Sequence, residues 1–232
     1  MATDSATTYD PGATFEVQVE DVEYLNVGGV GYLARMYQPV GPGPFPALPM
    51  AQTGLVVMSI DFRIAPEHPY PAQVQDANYA IRPNDERYAA LELAGAPGDV
   101  DARVAYVIGL WPVLDSYGRY LLAKDAENEH LVSASEGYFL TEEAMREGNP
   151  QEILERGEPA VLPPTLIIHG SADTNVPIAL VERFVANYGK AGGDVELEVF
   201  PDQPHTFAAK AGPLADQAVE LMAAFVARVV AS

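Results

Sequence analysis

The chain has 232 residues, 48% of them apolar, which is enough to bury a substantial core in one domain. Its 33 acidic residues against 13 basic ones give a net charge of −20. That balance excludes a nucleic-acid backbone or an anionic membrane surface as partner, since both require clustered Lys and Arg. With no cysteine in the chain, disulfides, thiolate zinc sites and cysteine nucleophiles are excluded as well.

Met1 to Pro11 has neither a basic residue nor an apolar core, so it does not read as a secretory signal, and residues 1–13 read as a loose tail. No run approaches the ~18 consecutive apolar residues of a membrane span, so the expected location is the cytoplasm. Phe15 to Asn26 alternates apolar and polar residues (Phe15, Val17, Val19), the pattern of a half-exposed strand, and Val30 to Gln38 reads as its hairpin partner across Gly28-Gly29. Gly41 to Pro46 is a Pro/Gly loop. Gly54 to Asp61 is a continuous apolar run, the mark of a strand buried on both faces. Pro71 to Arg82 predicts a helix, with Pro71 in its first turn and Val74, Ala77, Tyr79 and Ile81 as packing positions. Residues 83–102 are polar and turn-rich, with a short helix around Arg87 to Ala94. Arg103 to Leu110 predicts another buried strand, and 115–160 predicts several short helices broken by Gly, Asn and Pro. Leu162 to His169 is a strand, Ile178 to Lys190 a helix, Asp194 to Phe200 a strand and Leu214 to Val230 a closing amphipathic helix. Alternating strands and helices imply an α/β fold with a mostly parallel sheet and flanking helices. The domain reading is a single domain over 14–232, with 115–160 as a helical lid insertion.

Two late loops carry the chemistry. Thr165 to Asp173 reads as a buried strand that ends in a loop with an acid at its tip, and Val199 to Phe207 places His205 on the loop after the next strand. One helix and one strand separate them, so both loops fall beyond the carboxyl ends of neighbouring parallel strands, where open α/β sheets bind ligands. Acid then histidine, late in the chain, is the order of an α/β-hydrolase, whose serine comes earlier on a G-x-S-x-G turn. That turn is absent from the 232 residues. Ser59, Ser116, Ser133, Ser135 and Ser171 lie on other kinds of segment, so the nucleophile is left unassigned.

Asp61-Phe62-Arg63-Ile64-Ala65-Pro66-Glu67-His68-Pro69-Tyr70-Pro71-Ala72, followed by Asp76-Ala77, resembles the segment after the fourth strand of the hormone-sensitive-lipase-like esterases, a branch of the α/β-hydrolase superfamily. Arg103 to Asp115 looks like that family's sixth strand and its continuation, and the likeness runs from about Val30 to Val230. Two family blocks are missing. Only Pro39 to Gly54 is available for the third strand, its helix and the His-Gly-Gly oxyanion loop, whereas a helical crossover alone takes about 10–12 residues. After Ile81-Arg82 there is no apolar strand before Val104, so the fifth strand and the nucleophile turn are missing too. In the family's numbering the remaining strands predict a contracted order 1-2-4-6-7-8, with the strand around Val57 paired to the strand around Tyr106.

The resemblance implies a carboxylic-ester hydrolase working through an acyl-enzyme, with Asp173 as the orienting acid and His205 as the general base. An arylformamidase-like amide hydrolase and a contracted, non-catalytic relative are the alternatives. Trp111, Tyr117, Tyr138 and Phe139 are the candidate substrate-lining residues, with packing of the lid as the competing role. His169 and His68 read as structural and His130 as solvated. Glu67 is expected to pair with Arg63. The histidines are too scattered for a metal site, and no cofactor is implied. The expected partner is a small-molecule ester; a homodimer is left open, since the sequence does not fix the oligomeric state.

Overall fold

The computed structural model describes residues 14–41, 57–81, 104–158 and 160–230. The tail over 1–13, most of the Pro/Gly loop, the first residues of the apolar run at 54–61 and the short helix expected at 87–94 lie outside the described residues. The elements are β1 (Val17–Val27), β2 (Val30–Pro39), β3 (Val57–Ile60), α1 (Ala72–Ile81), β4 (Val107–Leu110), α2 (Ser116–Asp125), α3 (Glu129–Phe139), α4 (Glu142–Glu147), α5 (Pro150–Glu155), β5 (Thr165–Gly170), α6 (Ile178–Lys190), β6 (Val195–Phe200) and α7 (Pro213–Val230).

The contacts divide the chain into two compact units, residues 1–62 with 223–232 and residues 63–222. In the first, β1 and β2 form the expected antiparallel hairpin through Gly28 and Gly29, both at positive φ, and β3 adds to β2, with Ala34 opposite Ile60. Asp61 closes this sheet: its N–H donates to the Leu33 carbonyl at 2.8 Å, and its own carbonyl accepts from the Tyr24 hydroxyl at 2.5 Å.

In the second unit β4, β5 and β6 form a parallel sheet in that order. All six residues of β5 are buried, as a central parallel strand requires. The strand starts at Thr165 rather than Leu162 because Pro163 and Pro164 have no N–H to give a ladder. β4 keeps step with it: Val107 pairs with Thr165 and donates to the Pro164 carbonyl. Helix α6 places Val181, Phe184 and Tyr188 at helical spacing on one stripe, and these pack with Ile167 and Val176 as one buried cluster, joined by Leu197 of β6. This parallel sheet with packed helices is the α/β arrangement the sequence predicts. The ladder between β3 and β4 that the contracted order requires is not formed among the described residues; the described strands close two sheets, β1-β2-β3 and β4-β5-β6.

The breaks in 115–160 prove to be helix starts. Asp115 caps α2 by accepting from the Gly118 N–H, Asn128 caps α3 at Leu131, Thr141 caps α4 at Ala144, and Pro150 occupies the first turn of α5. The Asp61–Asp76 signature is braced differently from expectation. Glu67 does not pair with Arg63 among the described residues. Arg63 instead clasps the fully buried Asp76, through Nη2 to Oδ1 at 2.6 Å, Nε to both carboxylate oxygens at 3.0 Å, and its own backbone N–H to Oδ2 at 2.8 Å. The planar guanidinium fork meets both oxygens of this buried carboxylate, the geometry in which an Arg–carboxylate pair is strongest.

Candidate active site

Because β4, β5 and β6 are parallel, their carboxyl ends share one edge, and each feeds a loop there. Trp111 directly follows β4, Asp173 sits in the turn after β5, and His205 lies on the loop after β6. These three strand ends bring their side chains together. His205 Nδ1 is 2.7 Å from Asp173 Oδ2, and the Trp111 ring stands edge-on to the imidazole with centroids 6.4 Å apart. Phe207 packs edge-on against Trp111 and beside Phe200, which seats the histidine loop on β6.

The acid is held from several directions. Its side chain is fully buried, and Oδ1 accepts from the N–H groups of Asn175 and Val176, each at 2.8 Å, so the turn Asp173–Val176 folds around its own carboxylate. That leaves Oδ2 for His205. The bond fixes the tautomer: Nδ1–H donates to Asp173, and Nε2 carries the lone pair. The His205 side chain is 28% exposed, and among the described residues nothing hydrogen-bonds its Nε2.

Two further residues brace the acid. His169, the penultimate residue of β5, is fully buried; its Nε2 donates to the Val176 carbonyl at 2.8 Å and lies 3.4 Å from Asp173 Oδ2. Its Nδ1 is buried without a hydrogen-bond partner. The sequence reading of His169 as structural fits this position, though it does not foresee that the residue props the acid's own turn. Arg119 of α2 was not singled out by the sequence. Its Nε donates to the Asn175 carbonyl at 3.0 Å, tying α2 to the acid's turn. Burial pulls the Arg119 pKa below the usual guanidinium range, and the charge of Asp173 pulls it part of the way back. No local signal marks such a contact, because it joins residues far apart in the chain.

The loops are set by close backbone approach. A Cβ on Gly170 would lie 2.2 Å from the Gln203 carbonyl oxygen, so the acid and histidine loops pack backbone to backbone only if this residue is glycine. Trp111 (φ 41°), Asp202 (φ 58°) and Thr206 (φ 59°) are non-glycine residues in the left-handed region, and for a β-branched threonine that conformation is an outlier. Such strained positions gather around ligand sites when packing over-determines them.

The helical segment 115–160 is anchored at both of its ends. Buried Asp115 accepts from the Asn149 side-chain amide at 2.9 Å and from Arg183 Nη1 of α6 at 3.1 Å, and Asn149 Oδ1 accepts from the Ser116 N–H. The signature segment touches these helices too. Tyr70 donates its N–H to the Tyr138 carbonyl at 2.8 Å, hydrogen-bonds Glu147 through its hydroxyl, and meets the rings of Tyr138 and Phe139.

Of the four aromatic residues proposed to line a substrate site, the structure brings Trp111 to the Asp173–His205 pair. Tyr117, Tyr138 and Phe139 belong to a cluster within the 115–160 helices built on Tyr120, Phe139 and Met145. Among the serines, Ser135 Oγ is buried and donates to the Leu131 carbonyl, Ser171 Oγ accepts from the Asp202 N–H, and Ser116 Oγ is buried without a partner. None of them hydrogen-bonds His205. Among the described residues there is no metal-binding cluster, and no helix is long and apolar enough to cross a membrane.

Comparison with known proteins finds relatives over parts of the chain and over its fold. Residues 119–232 match the model of the prolyl oligopeptidase family, and residues 47–94 match a model described as alpha/beta hydrolase fold. A 112-residue stretch is 34% identical to the carboxylic ester hydrolase LipN of Mycobacterium tuberculosis, covering 39% of this chain and 29% of that protein. Among solved structures, the propionate-bound esterase Est2 of Thermogutta terrifontis superposes with a TM-score of 0.65 at 22% identity, over 93% of this chain and 94% of that one. An esterase/lipase from an uncultured bacterium superposes equally well, with a TM-score of 0.65 at 18% identity over 95% of this chain and 87% of that one. Two family models thus match separate parts of the chain, and the fold is similar to that of the superposed esterases.

Proposed function

We propose that this protein is a carboxylic-ester hydrolase of the hormone-sensitive-lipase-like kind, acting on small esters, with His205 as its general base and Asp173 as the acid that orients it. The observation that carries the reading is the 2.7 Å bond between His205 Nδ1 and the buried, doubly capped Asp173 carboxylate. A carboxylate in that position holds the imidazole in one tautomer and stabilises the positive charge that develops on it as Nε2 takes a proton. Trp111 offers an apolar surface against the imidazole for a short acyl chain, while Tyr117, Tyr138 and Phe139 pack the core of the 115–160 helices. The kinship to LipN supports an ester rather than an amide substrate. A cytoplasmic location fits the same reading.

A second reading, a relative that binds small ligands without turning them over, is supported by the absence of any G-x-S-x-G turn. One panel separates the two. Short p-nitrophenyl esters, an N-formyl aromatic amide and a prolyl p-nitroanilide are offered to the wild type and to His205→Gln. The expected result is ester cleavage that falls by ~10²–10⁴-fold in the variant, the usual contribution of a positioned general base. Ester cleavage equal in both proteins overturns the assignment of the pair. Preferential cleavage of the formyl amide moves the protein to the arylformamidase-like alternative.

A further inference from the structure

Between α1 and β4, residues 82–106 contain no serine, threonine or cysteine, so the segment that should present a nucleophile has no side chain of that kind to present. The described serines do not hydrogen-bond His205: Ser135 Oγ is spent on a helix carbonyl, Ser171 Oγ on the Asp202 N–H, and Ser116 Oγ is buried alone. Yet the histidine is fully prepared. Its Nδ1 is tied to a buried carboxylate, the lone pair sits on Nε2, that atom is unpartnered among the described residues, and the side chain is 28% exposed. An imidazole so held, which no hydroxyl among the described residues engages, can act as a nucleophile itself, because a neutral imidazole nitrogen attacks carbonyl carbon directly.

We propose that His205 Nε2 is the acyl acceptor of this protein, forming an acyl-imidazole from esters whose leaving group is acidic. The proposal rests on Asp173 and His205 being the working pair. In the first half-reaction Nε2 bonds to the carbonyl carbon, the bond from that carbon to the leaving oxygen breaks, and the leaving group departs as its anion. The ring would then be a cation; Asp173 stabilises it and accepts the Nδ1 proton, which leaves a neutral acyl-imidazole. In the second half-reaction water adds to the acyl carbon and the carbon–nitrogen bond breaks. The carboxylate leaves, Asp173 returns the Nδ1 proton to the ring, and the two protons of the water end on the released acid and on the leaving-group oxyanion. The net reaction is ester plus water to acid plus alcohol, with no further reactant.

This route selects its substrate. Imidazole is a far better leaving group than an alkoxide, so the tetrahedral adduct of an alkyl ester collapses back to reactants, whereas an aryl or enol ester expels its stabilised oxyanion. The expected class is therefore short-chain aryl or enol esters, their acyl part against Trp111. A serine nucleophile would also cleave simple alkyl esters.

The test acylates the full chain with diethyl pyrocarbonate and maps the label by peptide mass, with p-nitrophenyl acetate turnover measured in parallel. Exposed His68 and His130 serve as internal references, and buried His169 should stay unlabelled. The expected result is that His205 is labelled faster than both references. Asp173→Asn should slow labelling at His205 by about tenfold or more while the reference rates hold, which shows that the variant is folded and the reagent active. Pre-labelled protein should lose p-nitrophenyl acetate turnover, and hydroxylamine, which strips acyl groups from imidazole, should restore it. If His205 labels no faster than His68 and His130, or if Asp173→Asn leaves its rate unchanged, the proposal is overturned. A fluorophosphonate or acetyl label on a hydroxyl side chain, with turnover still dependent on His205, also overturns it but leaves the hydrolase reading standing. Turnover independent of His205 defeats both.

Discussion

The two sheets of this protein are built on opposite principles. In β4-β5-β6 the central strand is buried at every position, and the sheet's connections run through packed helices. In β1-β2-β3 the hairpin strand β1 has a single buried residue, Leu25, and carries Val19 and Val22 exposed at 53% and 44%. The expectation of one buried and one exposed face along β1 is thus met only in part. A strand fixed on both faces aims the first residues of its loop, and the acid, the histidine and Trp111 all stand at such ends. A strand held by its ladder alone aims nothing so well; the titratable side chains that meet on the N-terminal sheet, such as Asp21 and Arg35, stand exposed on its open face.

The comparison breaks or holds first on core truncations. Phe184→Ala removes a ring from the cluster of Ile167, Val176, Val181 and Tyr188, and the expected loss in urea denaturation is about 3–5 kcal/mol. Val19→Ala in β1 should stay within about 0.5 kcal/mol. Similar losses for the two would mean that the hairpin is packed as firmly as the parallel sheet.

Next in size is the anchor of the short helices. Asp115→Ala removes the cap of α2, at about 1 kcal/mol, and strands the buried Asn149 amide, at about 1–3 kcal/mol more. Arg183 is half exposed and keeps Glu155 at 2.6 Å, so its loss of Asp115 adds little. The same variant should raise amide hydrogen exchange across α2 and α5 while β5 stays protected. If exchange rises equally in β5, the short helices and the sheet are one cooperative unit and not two separately anchored parts.

These sites also show which parts of the molecule were legible in the sequence. The helix at 178–190, the buried β5, the run of short helices and the Asp173 and His205 loops follow from periodicity, caps and chain order, all of them local signals. Contacts between distant residues carry no such signal. Arg119 reaching Asn175, Asp115 joining Asn149 to Arg183, and Arg63 choosing Asp76 over Glu67 depend on how elements meet. The aromatic residues show the same limit: composition marks Tyr117, Tyr138 and Phe139 as apolar and large, yet only tertiary packing decides that they join Tyr120 and Met145.

A smaller effect tests the edge of the buried cluster. The Tyr188 hydroxyl donates to the Pro163 carbonyl at 2.6 Å and accepts from Thr165 Oγ1 at 3.2 Å, which ties α6 to the start of β5. Burial raises the Tyr188 pKa above the usual phenol range, with a further push from Asp194 and an opposing pull from Thr165. Since the folded value exceeds the unfolded value of about 10, this tyrosine's contribution is fully present below pH ~10 and is lost as pH rises through the folded value. Tyr188→Phe should cost about 1 kcal/mol at neutral pH and flatten the alkaline limb of the stability curve. An unchanged limb would show that Tyr188 does not titrate with unfolding.

The smallest effect belongs to the exposed sheet. Arg35 meets Asp21 across the hairpin in a two-pronged pair, Nε to Oδ1 at 2.7 Å and Nη2 to Oδ2 at 2.8 Å. The hydrogen bond from Arg35 holds the Asp21 carboxyl below its ordinary pKa, against a weak opposing push from burial. A depressed folded value means that the pair's contribution is present above the unfolded aspartate pKa of about 3.9 and is lost as pH falls through the folded one. Both side chains are open to water, so ions screen the attraction and side-chain entropy offsets much of it. The carboxyl carbon of Asp21, followed by NMR, should therefore titrate below the ordinary value in the wild type and return to it in Arg35→Gln, while the urea midpoint of the two proteins stays the same. A midpoint that falls in Arg35→Gln and is insensitive to added salt would show that the hairpin pair is sheltered from solvent, and the contrast between the two sheets would narrow.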